Sequence, residues 1–318
     1  MRTPTDDFSI HDLSVYVPPR RVSVERLAAE IVQHGGVFSG EEIRRFKTDY
    51  RFSHVPVERE RSLPEMLREA CHPLVERLRR QSLPIDRILM VRTSELSWHD
   101  ENMLREVLHT YGLQERPFHA IGQHNCASVH LALRMARNLF RTDPYTSGIL
   151  LVSADKAIHP FFRRLPDSLL GDCASACYLI RGRKLHRTLL IENVVDPTFY
   201  DGISGKAEDW KWFQTTYFFA LRQIIMTTLR KASLAFDDVR LLIGSNVNYR
   251  TWQVLAEMLR LRPDKFYTET IAEAGHLYCS DILYNLQAAV ADGRLRKGDL
   301  YLTVSVGIGS YGCALHQF

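Results

Sequence analysis

The sequence predicts a mixed α/β protein, a buried sheet covered by helices and built from two related halves. Three observations predict it. Apolar runs of strand length (Arg87 to Val91, Val239 to Ile243, Leu300 to Val306) are continuous rather than alternating, as strands covered on both faces require. Between them lie segments with apolar residues at helical spacing. One half also echoes the other: Arg87 stands 39 positions before Cys126, and Arg240 stands 39 before Cys279. Strands centred near Val152 and Val304 follow those cysteines 26 and 25 residues later. Matching elements at matching spacings describe two copies of one unit about a pseudo-twofold axis.

Taken in order, Phe8 to Tyr16 reads as a strand stopped by Pro18-Pro19. Ser23 to His34 fits a helix capped by Ser23, with Leu27 and Ile31 on one stripe. Pro64 to Arg79 is a second amphipathic helix that Pro73 is expected to bend or split. Strands are expected over Arg87 to Val91, Ile149 to Val152, Cys177 to Ile180 and Thr188 to Val194. Trp210 to Leu229 is helical in period and aromatic, with Trp212, Phe213, Tyr217, Phe218 and Phe219; core packing is the first expectation for it, an acyl-pocket wall or a dimer face the others. Val239 to Ile243 is a strand, Trp252 to Arg262 a helix ended by Pro263, and Leu300 to Val306 a strand. Gly312 to Leu315 opens a last one. The halves divide at 1–190 and 191–318.

The apolar fraction of 45% lies well above that of disordered chains. No run of eighteen apolar residues exists, and the polar, acidic start from Met1 to Ser9 lacks a signal-peptide core, so a cytoplasmic protein that does not span a membrane is expected. The 41 basic residues are nearly balanced by 37 acidic ones and are scattered, which argues against a nucleic-acid face. The six cysteines show no CxxC pair, so neither a zinc site nor a disulfide framework is expected.

Cys126 is the candidate for chemistry. Gly122 to Asn125 is turn-like, and from Ala127 to Leu139 the chain fits a helix with Leu131, Met135 and Leu139 on one stripe. That places Cys126 at a helix start, where unpaired amides and the positive end of the dipole favour a thiolate and can face an oxyanion. A buried structural cysteine is the competing reading. Among the histidines, His124 and His130 flank it, and His99 and His159 are assigned to loops that line a pocket.

The segment NCASVHLAL around Cys126 resembles the nucleophile segment of the ketoacyl synthase III-like branch of the thiolase superfamily. Four further segments are similar to that family in the same order: VYVPPRRVSVERLA, LLGDCASACYLI, NVNYR and GDLYLTVSVGIGSYGCAL. The resemblance implies a five-layered αβαβα fold, a homodimer, and a tunnel that admits the pantetheine arm of coenzyme A or an acyl carrier protein. No permanently bound cofactor is implied; the thioester is the acyl donor. It also implies that an amide of the glycine-rich loop, from Gly307 or Ile308, completes the oxyanion hole, and that Asn248 and Arg250 serve structure and the donor channel.

Two positions depart from the family pattern. Its usual histidine falls on Ser245, in GSNVNYR, and its usual asparagine falls on His276, in AGHLYCSD. Decarboxylative condensation needs two donors on the developing enolate, whereas one imidazole beside a cysteine suffices to load an acyl group and pass it on. The expectation is therefore an acyltransferase, in specialised metabolite biosynthesis, that carries the acyl group on Cys126 and delivers it to a hydroxyl, amine or thiol of a small-molecule acceptor. Cys126, His276 and Ser245 form its site, with Ser245 or Asn246 as the orienter of His276. Asp281 is disfavoured for that task, because five residues along a helix turn it off the histidine's face. A condensing enzyme with a rebuilt triad, or a non-catalytic partner subunit of one, are the alternatives.

Overall fold

The computed structural model describes residues 8–93, 98–122, 124–182, 185–199 and 205–318. The polar start of the chain before Phe8, Gln123 and the side chain of His99 lie outside the described residues.

Among the described residues, ten strands form one sheet: β1 (Phe8–Tyr16), β2 (Arg87–Val91), β3 (Phe118–Ile121), β4 (Gly148–Asp155), β5 (Cys173–Arg181), β6 (Arg187–Val195), β7 (Val239–Gly244), β8 (Phe266–Tyr267), β9 (Leu300–Gly307) and β10 (Ser310–Gln317). Their spatial order is β8-β7-β9-β10-β6-β1-β5-β4-β2-β3. Read outward from the centre, the two sides are the same: each strand of the first five has its counterpart five places later. The sides meet through β1 and β6, which share only the pairs Phe8↔Thr188 and Ser9↔Arg187. The boundary at 190/191 falls inside β6, which pairs with β10 along its length.

Among the described residues, nine helices accompany the strands: α1 (Val24–Gln33), α2 (Gly40–Thr48), α3 (Leu63–Arg80), α4 (Trp98–His109), α5 (Ser128–Thr142), α6 (Ala207–Ala232), α7 (Tyr249–Leu259), α8 (Ile271–Ala274) and α9 (Asp281–Ala291). Alternation along the strands sorts them into layers. Ile88, Met90, Leu150 and Val152 face α3 and α4 on one outer side. Leu89, Val91, Ile149 and Leu151 face inward onto α5 and α9, which Leu241, Ile243 and Tyr301 cover from the other half. Leu242, Leu302 and Val304 face α6 and α7 on the far side. This is a thiolase-type arrangement of five layers, with α5 and α9 in the middle.

Local rules explain the helix starts. Ser23 caps α1, and Ser62 with Glu65 forms a capping box on α3. Pro73 does not divide α3: it lies on the exposed face of a single helix. The α5 stripe differs from the expected one. Val129, Ala132, Leu133, Ala136 and Phe140 are its buried residues, while Leu131, Met135 and Leu139 flank them half-buried. Each large apolar side chain so buried contributes about 1.5–3 kcal/mol, so this stripe fixes how α5, and the cysteine before it, sit on the sheet.

Candidate active site

Cys126 lies on a short 3-10 turn, Asn125–Ala127, that leads into α5. Asn125 has φ 47°, a left-handed conformation that asparagine tolerates. The end of β9 packs directly against this elbow. A Cβ on Gly307 would stand 2.6 Å from the His124 carbonyl oxygen, so only glycine lets the two backbones approach. Ile308 and Gly309, the latter with φ 69°, make the turn from β9 into β10.

The second half repeats the elbow. Tyr278–Ser280 is a 3-10 turn leading into α9, and Tyr278 has φ 53°. Cys279 therefore occupies the counterpart position of Cys126. The two elbows meet in the middle of the molecule. Thr93, just past β2, holds its hydroxyl 3.3 Å from both sulfurs, and Cys279 donates to the Asn125 carbonyl at 3.4 Å.

His276 stands immediately before this second elbow. Gly275, with φ 60°, sets the turn; a Cβ there would meet Val55 and the Leu169 carbonyl at 2.7 and 2.8 Å. The His276 backbone is bracketed by the segment that enters β5. Its amide donates to Leu169 O at 2.8 Å, and its carbonyl accepts from Gly171 at 3.0 Å. That segment is anchored by Asp172, fully buried, which takes a bidentate pair from Arg163 at 2.7 Å for each bond and the Glu58 amide at 2.7 Å. The imidazole Nε2 lies 3.1 Å from Cys126 Sγ. Nδ1 hydrogen-bonds to Asp281 Oδ2.

Asp281 is thus the orienter, against the expectation. The chain between His276 and Asp281 is not a continuous helix. It passes through a left-handed residue and a 3-10 turn, and α9 begins only at Asp281, so the helical rotation rule does not apply to that interval. The carboxylate is itself held by the Asn246 and Leu277 amides, each at 2.7 Å. The internal repeat carried the missing signal: α5 begins two residues after Cys126, and the same offset from Cys279 places Asp281 at a helix start.

Ser245 is not joined to His276 by a hydrogen bond. Its carbonyl accepts from Trp252 Nε1 at 3.0 Å, and its buried hydroxyl has no hydrogen-bond partner among the described residues. Asn246 acts at one remove, through its backbone amide on Asp281. Its side chain joins Thr270 and Asn285 at 3.1 and 2.8 Å.

Burial alone pushes the His276 imidazole down, but the charges of Asp281 and Cys126 and their hydrogen bonds outweigh it and hold it well above the ordinary histidine value. The other histidines are placed differently. His130 is fully buried and pushed down to about 3 by burial; it bonds to Ser305 and, at 2.8 Å, to the Thr303 hydroxyl in a polar network of the sheet. His124 is half-buried and lowered by burial. His159 packs its ring 4.9 Å from that of His34. His99 falls in α4 rather than in a loop.

Asn248 caps α7, accepting from the Thr251 amide at 2.7 Å, and its amide group donates to Asp167 O at 2.9 Å. Arg250, in the first turn of α7, is exposed, 3.9 Å from Glu257. In α6 none of the six aromatic residues is fully buried: Phe213 and Tyr217 are half-buried against Phe199 and Tyr311, Trp212 and Phe219 stay 52% and 66% exposed, and the core contacts come instead from Leu221, Ile224, Ile225 and Leu229.

Residues 229–318 match the family described as 3-oxoacyl-[acyl-carrier-protein (ACP)] synthase III C terminal. The chain is thus similar to the ketoacyl synthase III family. A β-ketoacyl-[acyl-carrier-protein] synthase III of Helicobacter pylori is 26% identical over 230 residues, 65% of this chain and 69% of that protein. Among solved structures, the 3-oxoacyl-[acyl-carrier-protein] synthase III of Aquifex aeolicus superposes with a TM-score of 0.80 at 18% identity, covering 98% of this chain and 100% of the other. ChlB3, described as an acyltransferase, superposes with a TM-score of 0.81 at 20% identity, covering 98% and 97%. At these identities the two solved structures share this ketoacyl synthase III-like chain's fold. Among the described residues, no helix is long and apolar enough to cross a membrane.

Proposed function

We propose that this ketoacyl synthase III-like protein is an acyltransferase that loads an acyl group from a coenzyme A or carrier-protein thioester onto Cys126 and passes it to a hydroxyl, amine or thiol. The observation that carries the reading is the buried relay Asp281–His276–Cys126, set beside a Ser245 hydroxyl that bonds to neither. One imidazole, backed by a carboxylate, is the equipment of acyl transfer. It offers a single ring donor where stabilising a malonyl-derived enolate calls for two.

In the loading step the Cys126 thiol gives its proton to His276 Nε2, and the thiolate attacks the thioester carbonyl. The tetrahedral oxyanion is held by the Cys126 amide with an amide from Gly307 or Ile308. As the intermediate collapses, His276 returns the proton to the departing pantetheine thiolate, which leaves as the thiol. Asp281 keeps Nδ1 protonated and stabilises the imidazolium. Once acylated, Cys126 is neutral and one of the charges that raised His276 is gone. The imidazole then becomes less basic and is neutral over a wider pH range, which suits it to deprotonate the acceptor. Arg250, exposed in the first turn of α7, is the residue we propose for a donor phosphate. The exposed edge strand β3, with His119 and Ala120 open to solvent, supports a homodimer formed by pairing of that edge. A small-molecule acceptor, specialised biosynthesis and a cytoplasmic setting complete the proposal.

The test is intact-mass measurement after mixing with acyl-coenzyme A and acyl-carrier thioesters, followed by a panel of alcohols, amines and thiols. An adduct on the wild type that is absent from Cys126→Ala, and is released to an acceptor in a His276-dependent step, is expected. An unchanged adduct in Cys126→Ala sinks the reading. Malonyl decarboxylation that depends on His276 would favour a condensing enzyme instead.

A further inference from the structure

The second elbow carries a residue that the first does not. Where Asn125 stands before Cys126, Tyr278 stands before Cys279, with φ 53° against 47°. A bulky aromatic side chain in the left-handed region is an outlier and persists only where its surroundings hold it there. The Tyr278 side chain points back across the pseudo-twofold axis to the other elbow. It is 5% exposed, packs with Cys126 and Leu170 in a small apolar cluster flanked by Leu165, and its ring lies nearly parallel to that of His276, with centroids 6.1 Å apart. The Cys126 sulfur has polar partners in His276 and Thr93, and its apolar neighbours in that cluster are Leu170 and Tyr278.

We infer that Tyr278 is the wall of the acyl chamber and restricts the group carried on Cys126 to short chains. The inference rests on the acyl-cysteine reading above. An acyl chain leaving the sulfur extends toward its apolar neighbours, and the phenol ring occupies the space that a longer chain needs. Burial holds the Tyr278 hydroxyl well above its ordinary value, so the wall is uncharged. A rigid aromatic wall discriminates by volume, and each methylene it refuses is worth about tenfold or more in rate.

The experiment compares the wild type with Tyr278→Asn, which places in the second elbow the residue that the first already tolerates at this φ. Tyr278→Phe serves as a control that keeps the ring. Loading of Cys126 is followed by intact mass with acetyl-, butyryl- and octanoyl-coenzyme A. In parallel, alkylation of Cys126 is timed with N-ethyl- and N-octylmaleimide, which need no donor recognition. The expected result is that the wild type and Tyr278→Phe favour the short member of each series by roughly a hundredfold, and that Tyr278→Asn cuts the preference by at least about tenfold. Equal rates for short and long reagents in the wild type, or a preference unchanged in folded Tyr278→Asn, overturn the wall. If no thioester loads while the maleimides still discriminate as expected, the acyl-cysteine reading has failed and the chamber wall has not.

Discussion

The Asp281 carboxylate accepts hydrogen bonds from the His276 ring and from the amides of Asn246 and Leu277, all of them buried. It holds the ring in the one tautomer that leaves Nε2 facing Cys126. Its charge is also the largest of the influences that raise His276. Asp281→Asn keeps the shape and removes the charge, so His276 titrates lower. Transfer from the acyl-enzyme needs the neutral imidazole. The acid limb of its rate against pH therefore moves to lower pH in the variant, while the plateau falls by a factor on the order of 10²–10⁴ because the imidazolium is no longer stabilised. Single-turnover release from pre-acylated enzyme across pH measures both; an acid limb that stays in place contradicts the assignment. Ser245 gives the opposite expectation. Its hydroxyl is buried without a partner among the described residues, so Ser245→Ala leaves loading and transfer rates unchanged and holds or raises stability, by up to about 1 kcal/mol. A large loss of either rate in that variant would return Ser245 to the site.

At the scale of elements, the site is made where two backbones touch. The hairpin of β9 and β10 lies against the Cys126 elbow, and Gly307 is the point of contact. Gly307→Ala introduces a methyl group 2.6 Å from a carbonyl oxygen that is held in the turn by its own hydrogen bond to Ala127. Neither backbone can yield cheaply, so the elbow shifts. A displacement near 1 Å costs on the order of a hundredfold in rate, and the loss should appear in acyl loading of Cys126 with little change in the donor's KM. Loading at the wild-type rate would show that the elbow does not depend on this contact. The elements themselves were mostly legible in the sequence: β2 appears over the residues its apolar run marked, and Ser23 caps α1 as expected. The short edge strand β3 was not, because His119 and Ala120 face solvent and leave no apolar run to read.

Across the whole molecule, two half-sheets bring two elbows together, so that groups 150 residues apart, Cys126 and His276, come within 3.1 Å. Cys126 and His276 could be named from the sequence because motif order survives in it. Asp281 could not, because its place depends on a left-handed residue and a 3-10 turn that interrupt the helical count. Thr93 was missed for a related reason: its meaning comes from lying between the elbows, which only the packed halves reveal. The same long-range assembly makes the Arg163–Asp172 pair consequential. Asp172 is fully buried and carries, besides Arg163, the amides of Glu58 and Ala157, and so ties down the stretch whose Leu169 and Gly171 bracket the His276 backbone. Asp172→Ala leaves the Arg163 guanidinium buried without its counter-charge, at a cost of about 3–5 kcal/mol, read as a fall of several degrees in Tm. Because the bracket loosens too, the rate of acyl loading should fall at temperatures well below the melt, where the protein is still folded, and the His276 titration should broaden. A variant that melts early yet loads Cys126 at the wild-type rate at low temperature would mean that His276 is positioned by Asp281 and Gly275 alone, independently of the strand entrance beside it.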